Sequence, residues 1–115
     1  MKLDGFVNFN GTCDIEKTHD FYCNFLGLKL FLDKATCRLY ELPGGNLVGF
    51  CEHMKVITDG VMLTFTSNDV DSVYNEFVAR GVYTDGPPRE NTKYNIYHFF
   101  TTDPDGHALE IQKFL

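Results

Sequence analysis

In the stretch DPDGHALEIQ, residues 103–112, Glu110 stands four residues past a turn glycine, Gly106, on what reads as the final strand. A carboxylate in that position can hold a metal, orient a histidine, recognise a polar ligand, or simply be solvated at a sheet edge. Upstream, His98 lies in YNIYHFFTT. Residues two apart on an extended strand share a face, so Ile96, His98 and Phe100 line one side of it. A histidine close to a glutamate can act as general acid or base, with the carboxylate fixing its tautomer. The same pair can also recognise a ligand by hydrogen bonding alone, or serve structure only. Arg89 and Lys93 sit in GPPRENTKYN, a loop of Pro and Gly breakers, where two cations can meet an anionic substrate or remain solvated. The other histidines have weaker claims: His19 is in a helix, His53 in a linker and His107 in the turn itself, all with surface roles expected.

The composition limits the partners. At 115 residues the chain has the length of one domain, 1–115, and such a chain buries about two thirds of the surface it exposes when unfolded. Eleven Phe and six Tyr are enough for a core with aromatic surface left for a pocket. A net charge of −6, with only ten scattered Lys and Arg, argues against nucleic acid or an anionic membrane as partner and leaves a small molecule or another protein. Cys13, Cys23, Cys37 and Cys51 show neither zinc-site spacing nor a disulfide framework, so reduced and mostly buried thiols are expected. No apolar run has signal-peptide or membrane-span length, and the expected location is cytoplasmic.

The elements that must position these residues come in two similar sets. CDIEKTHDFYCNFLGLKLF (13–31) and NDVDSVYNEFVARGVYT (68–84) both open on an acid, continue through an apolar stripe and close on Gly. Asp14 is the expected N-cap of the first helix and Gly27 its terminator; Asn68 or Asp69 caps the second and Gly81 ends it. Strand patterns surround each helix: FVNFNGT, KLFLD, CRLYEL and NLVGFCE in the first half, then VMLTFTS, GVYTD, YNIYHFFTT and ALEIQKF in the second. PGG, at 43–45, marks a hairpin turn. The expectation is an α+β fold of two βαβββ modules, 1–55 and 56–115, with a curved mixed sheet around a cleft.

That doubled plan, with DIEKTHDFYCNFLGLKL near the start, DVDSVYNEFVARGV past the midpoint and DPDGHALEI at the end, resembles the vicinal oxygen chelate superfamily. Its members include glyoxalase I, bleomycin-binding proteins, fosfomycin-resistance transferases and extradiol dioxygenases. The resemblance covers essentially the whole chain and is specific for the fold, not for a reaction. It implies that Glu110 matches the last metal ligand of the family's enzymes. It also implies that the histidine ligands fall on Val7, seven residues before Asp14, and on Met62, six before Asn68. The further Glu of the glyoxalase branch falls on Gly49, with Glu52 and His53 beyond it. One carboxylate binds a transition metal weakly, because affinity comes from several preoriented donors.

The expected function is therefore that of a glyoxalase/bleomycin-resistance-like small-molecule-binding protein without the family metal centre. Val7, Phe9, Met62, His98, Phe100, Arg89 and Lys93 are its candidate ligand-binding residues. One alternative is a metal-dependent lyase or transferase resembling glyoxalase I or a fosfomycin-resistance enzyme. It would hold Zn, Ni, Mn or Fe through Glu110, His98 and a further donor such as Glu52. The other is a metal-free enzyme using His98 and Glu110 as its acid/base pair. The resemblance also implies a homodimer.

Overall fold

Asp14 begins the first helix: its carboxylate accepts the backbone N–H groups of Glu16 and Lys17, two of the donors that a helix start leaves unmatched. In the computed structural model, which describes residues 1–115, this helix belongs to the first of two units, Met1–Ile57 and Thr58–Leu115. The first unit runs β1 (Val7–Gly11), α1 (Ile15–His19), β2 (Lys29–Asp33), β3 (Cys37–Leu42) and β4 (Asn46–Cys51). After His19 the helix widens into a π turn over Asp20–Phe25, where the Leu26 N–H reaches back to the Phe21 carbonyl. Gly27 then ends it at φ +80°, a left-handed value that glycine adopts without strain.

The second unit repeats the order as β5 (Met62–Thr66), α2 (Val70–Ala79), β6 (Arg89–Asn91), β7 (Ile96–Thr102) and β8 (Ala108–Phe114). Asp69 caps α2 by accepting from the Ser72 N–H, and Gly81 closes it at φ +70°. Each unit holds one four-stranded mixed sheet, ordered β1-β4-β3-β2 and β5-β8-β7-β6. The β1–β4 and β5–β8 pairs are parallel and the others antiparallel. The result is an α+β fold of two sheets and two helices.

Aromatic packing fixes the helix to one face of each sheet. In the first unit Tyr22 stacks on Phe50 with ring centroids 4.3 Å apart, and Tyr22, Tyr40 and Phe50 have no exposed surface. In the second, Phe77 and Tyr74 meet fully buried Phe99 edge-on at 5.4 and 5.5 Å, while Leu63, Leu109 and Ile111 fill the same layer. Truncating one such ring costs about 3–5 kcal/mol.

Two expectations are corrected. GVYTD, 81–85, forms no strand; β6 instead lies in the segment read as a loop. Pro87 and Pro88 offer no N–H for a ladder. Asn91 accepts the Lys93 and Tyr94 N–H groups, and Asn95 at φ +58° completes a turn that folds Arg89–Asn91 back onto β7. The cysteines also differ. Cys37 and Cys51 are register partners in the β3–β4 hairpin and form a disulfide, while Cys13 is exposed and Cys23 half-buried, both outside it. Spacing along the chain does not show which residues a hairpin will oppose.

Two measurements check these features. Thiol titration of the unreduced, denatured protein should find two reactive cysteines, rising to four after reduction. At Gly11, an added Cβ would lie 2.4 Å from the Lys55 carbonyl oxygen and 2.5 Å from that of Met54. Because both obstacles are backbone, Gly11→Ala should lower stability by about 2 kcal/mol, read from its denaturant midpoint.

Candidate functional site

In the second unit α2 takes the face of the sheet that carries Phe99, Leu109 and Ile111, so alternation assigns His98, Phe100, Glu110 and Gln112 to the other face. Strand register then sets the rows. Glu110 lies between Thr64 of β5 and Phe100 of β7; His98 lies between Gln112 of β8 and Arg89 of β6. Met62, opposite Ala108 and half exposed, extends the Thr64 row along β5.

Glu110 is not a solvated edge carboxylate. The Thr64 hydroxyl donates to Oε1 at 2.9 Å, and Oε2 lies 2.6 Å from His98 Nδ1. The two side chains are only 12% and 8% exposed. A carboxylate only accepts, so the proton between them sits on Nδ1, and in the neutral form of the imidazole Nε2 is then an acceptor. The Phe100 ring meets His98 edge-on at 4.9 Å.

Arg89 is already matched. Its Nη1 and Nη2 donate to the two Asp85 oxygens at 3.0 and 2.5 Å, and its guanidinium lies 5.5 Å from the Phe100 ring centre. Asp85 also accepts the Phe100 N–H at 2.9 Å. The hydrogen bond from Arg89, assisted by that backbone N–H, holds the Asp85 carboxyl below the usual carboxylate range. Lys93 sits in the exposed turn between β6 and β7, with its ammonium 5.3 Å from the Tyr94 ring, and is not brought to His98 or Glu110 by any hydrogen bond.

In the first unit Val7 pairs with Leu47 and Phe9 with Gly49. The Phe9 ring fills the space over Gly49, where a Cβ would fall 2.6 Å from a ring carbon. Glu52, named as a substitute metal donor, instead accepts the Ile15 N–H at 3.1 Å and so serves the start of α1. His19 is not a plain surface residue: its Nδ1 lies 2.9 Å from the Tyr40 hydroxyl.

His107 was expected at the surface and is 1% exposed. Asp103 accepts the Asp105 and His107 N–H groups through one oxygen and lies 2.7 Å from His107 Nδ1 through the other, so the turn closes around a buried pair. Asp103, Asp105 and His107 bring potential ligand atoms within 4.8 Å of one another, with donor types suited to a divalent cation. The signal was present in DPDGH, an Asp and a His four apart, but a turn motif does not reveal burial. Gln112, the register partner of His98, was also missed.

The sequence and the fold were compared with known proteins. A family model described as Glyoxalase/Bleomycin resistance protein/Dioxygenase superfamily matches residues 10–111. No curated protein matches the chain in sequence. Among solved structures, a glyoxalase/bleomycin resistance protein/dioxygenase from Nocardioides superposes with a TM-score of 0.78 at 20% identity, over 100% of this chain and 85% of the other. A member of the same superfamily from Sphaerobacter thermophilus gives 0.79 at 22% identity, over 96% and 97%. A protein of unknown function from Agrobacterium tumefaciens gives 0.76 at 25% identity, over 100% and 98%.

The Asp85–Arg89 pair has a pH signature. Because the folded carboxyl titrates low, its stabilisation is complete above the ordinary Asp range, about pH 4, and is lost as pH falls through the lower folded value. Asp85→Asn should therefore melt about 2–4 °C below the unaltered protein at pH 7, with the gap closing below about pH 4 in thermal scans.

Proposed function

The chain belongs to the Glyoxalase/Bleomycin resistance protein/Dioxygenase superfamily, and we propose that it is a cytoplasmic, homodimeric small-molecule-binding protein that works without the family's metal centre. No helix is long and apolar enough to cross a membrane. The observation that carries the reading is the state of Glu110, whose two oxygens are engaged by Thr64 and His98. Its carboxylate is committed to orienting an imidazole. The remaining family positions do not fit such a metal centre: Val7 brings no donor atom, Met62 brings only a thioether, which suits soft metals rather than Zn, Ni, Mn or Fe, and Gly49 brings no side chain and lies under the Phe9 ring.

On this reading His98 Nε2 accepts a hydrogen bond from the ligand, and Phe100 and Met62 supply apolar surface that is desolvated on binding. Arg89, held by Asp85, lies over the Phe100 ring and helps to fix it. Val7 and Phe9 form an apolar strip on the face of their own sheet opposite α1, and Lys93 contributes only at the periphery. The edge strands β1, β2, β5 and β6 leave unpaired ladders that dimerisation covers.

One observation also favours a second reading. The 2.6 Å His98–Glu110 contact has the geometry of a base held by its orienting carboxylate, so Nε2 can take a proton from a bound substrate. A metal-free acid/base enzyme of this kind gives a bell-shaped pH–rate profile and loses its rate, but not its fold, on His98→Ala.

Elemental analysis after dialysis against Mn, Ni, Zn and Fe tests the proposal. The expected result is no retained metal dependent on Glu110. About one metal per chain, lost on Glu110→Gln, would overturn it and favour the lyase or transferase reading. Flat apolar molecules should raise the melting temperature, as a ligand at a hundred times its Kd adds about 2.7 kcal/mol. His98→Ala should remove that shift.

A further inference from the structure

We propose that Gln112 determines which ligand the His98 face accepts, and that the ligand is a flat, uncharged molecule carrying an amide edge. This deepens the small-molecule reading and rests on it. Gln112 is 8% exposed and lies between His98 and Thr66 in register, on the face that α2 leaves open. Its backbone carbonyl accepts the Ser67 N–H, but its side-chain amide makes no hydrogen bond within the protein. No atom of that amide is both fully buried and unmatched, so its polar atoms reach solvent. A ligand that supplies both a donor and an acceptor therefore takes the place of water on that amide.

Three neighbours define that ligand. His98, with Nδ1 committed to Glu110, presents the Nε2 lone pair and so calls for an N–H or O–H. Gln112 beside it offers two donors and one acceptor. An N–H next to a C=O answers both, the N–H donating to Nε2 and the C=O accepting from the Gln112 amide. Phe100, edge-on to His98, supplies flat apolar surface for a ring attached to that edge.

Charge excludes the simplest competitor. The only cation in contact with these residues, Arg89, is held by both oxygens of Asp85, while Glu110 adds a negative charge beside His98. A carboxylate ligand would face a lone pair and a nearby carboxylate with no unmatched cation. The amide of the same shape avoids both penalties.

Benzamide and benzoate differ in this property and little else. NMR titration of the full chain at pH 7.5, following the backbone amide signals of β7 and β8 and, where present, the His98 imidazole, compares them in the unaltered protein, in Gln112→Met and in His98→Ala. Benzamide should bind at least about tenfold more tightly than benzoate, and Gln112→Met, similar in volume, should weaken benzamide about fivefold to tenfold while leaving benzoate unchanged. Equal affinities, tighter benzoate, or a preference that survives Gln112→Met would overturn the inference. If binding in those cases still disappears with His98→Ala, the small-molecule reading stands. No response of these signals in the unaltered protein to either probe at tens of millimolar would overturn both.

Discussion

Phe99 has no exposed surface, and the edge-on contacts it makes with Phe77 and Tyr74 decide the orientation of every residue on two strands. Side chains alternate along β7 and β8 with a period of two, so seating Phe99, Leu109 and Ile111 under α2 leaves His98, Phe100, Glu110 and Gln112 no choice of side. A slip of one residue would bury Glu110 against phenylalanines, at a cost far above any contact it makes where it is. The polar face is thus held in place by the apolar one.

On that polar side each acid is matched locally. Glu110 is held by Thr64 and His98, Asp85 by Arg89 and the Phe100 N–H, and Asp103 by its own turn and His107. Partly buried carboxylates persist only when their lone pairs are used, and these arrangements use them without long-range contacts. Their shared consequence is that these three carboxylates present little unmatched charge. Beside Glu110 the same face also carries hydrogen-bonding capacity at His98 Nε2 and the Gln112 amide.

Much of this was legible because it is local. Asp14 and Asp69 act as N-caps and Gly27 and Gly81 as left-handed stops, since capping depends on a few neighbouring residues. The common face of Ile96, His98 and Phe100 follows from alternation alone. The errors concern what tertiary register decides. Cys37 and Cys51 become partners only when the hairpin aligns them, and Arg89–Asn91 becomes a strand only because β7 offers an edge. His107 reads as a turn residue until the turn closes on Asp103 and buries it. Gln112 drew no notice because an amide on a strand is unremarkable until its surroundings prove to contain no partner.

The two units meet the same folding requirement with different residues, and the difference lies where function would be read. Between the first helix and its sheet the fully buried aromatics are Tyr22, Tyr40 and Phe50; between α2 and its sheet they are Phe77 and Phe99. The opposite faces share no such pattern. In the first unit Phe9 closes over Gly49 and a disulfide occupies the next pair of rows, while the second unit places Thr64, Glu110, His98 and Gln112 in the corresponding region. A helix that secures one face of a sheet leaves the other free to change without loss of the fold. Structures at 20–25% identity superpose over nearly the whole chain, a likeness of fold that the helix-bound faces are sufficient to maintain. On the proposed reading a ligand would meet the face that α2 leaves uncovered, and the chemistry of that meeting would depend on the side chains of β7 and β8.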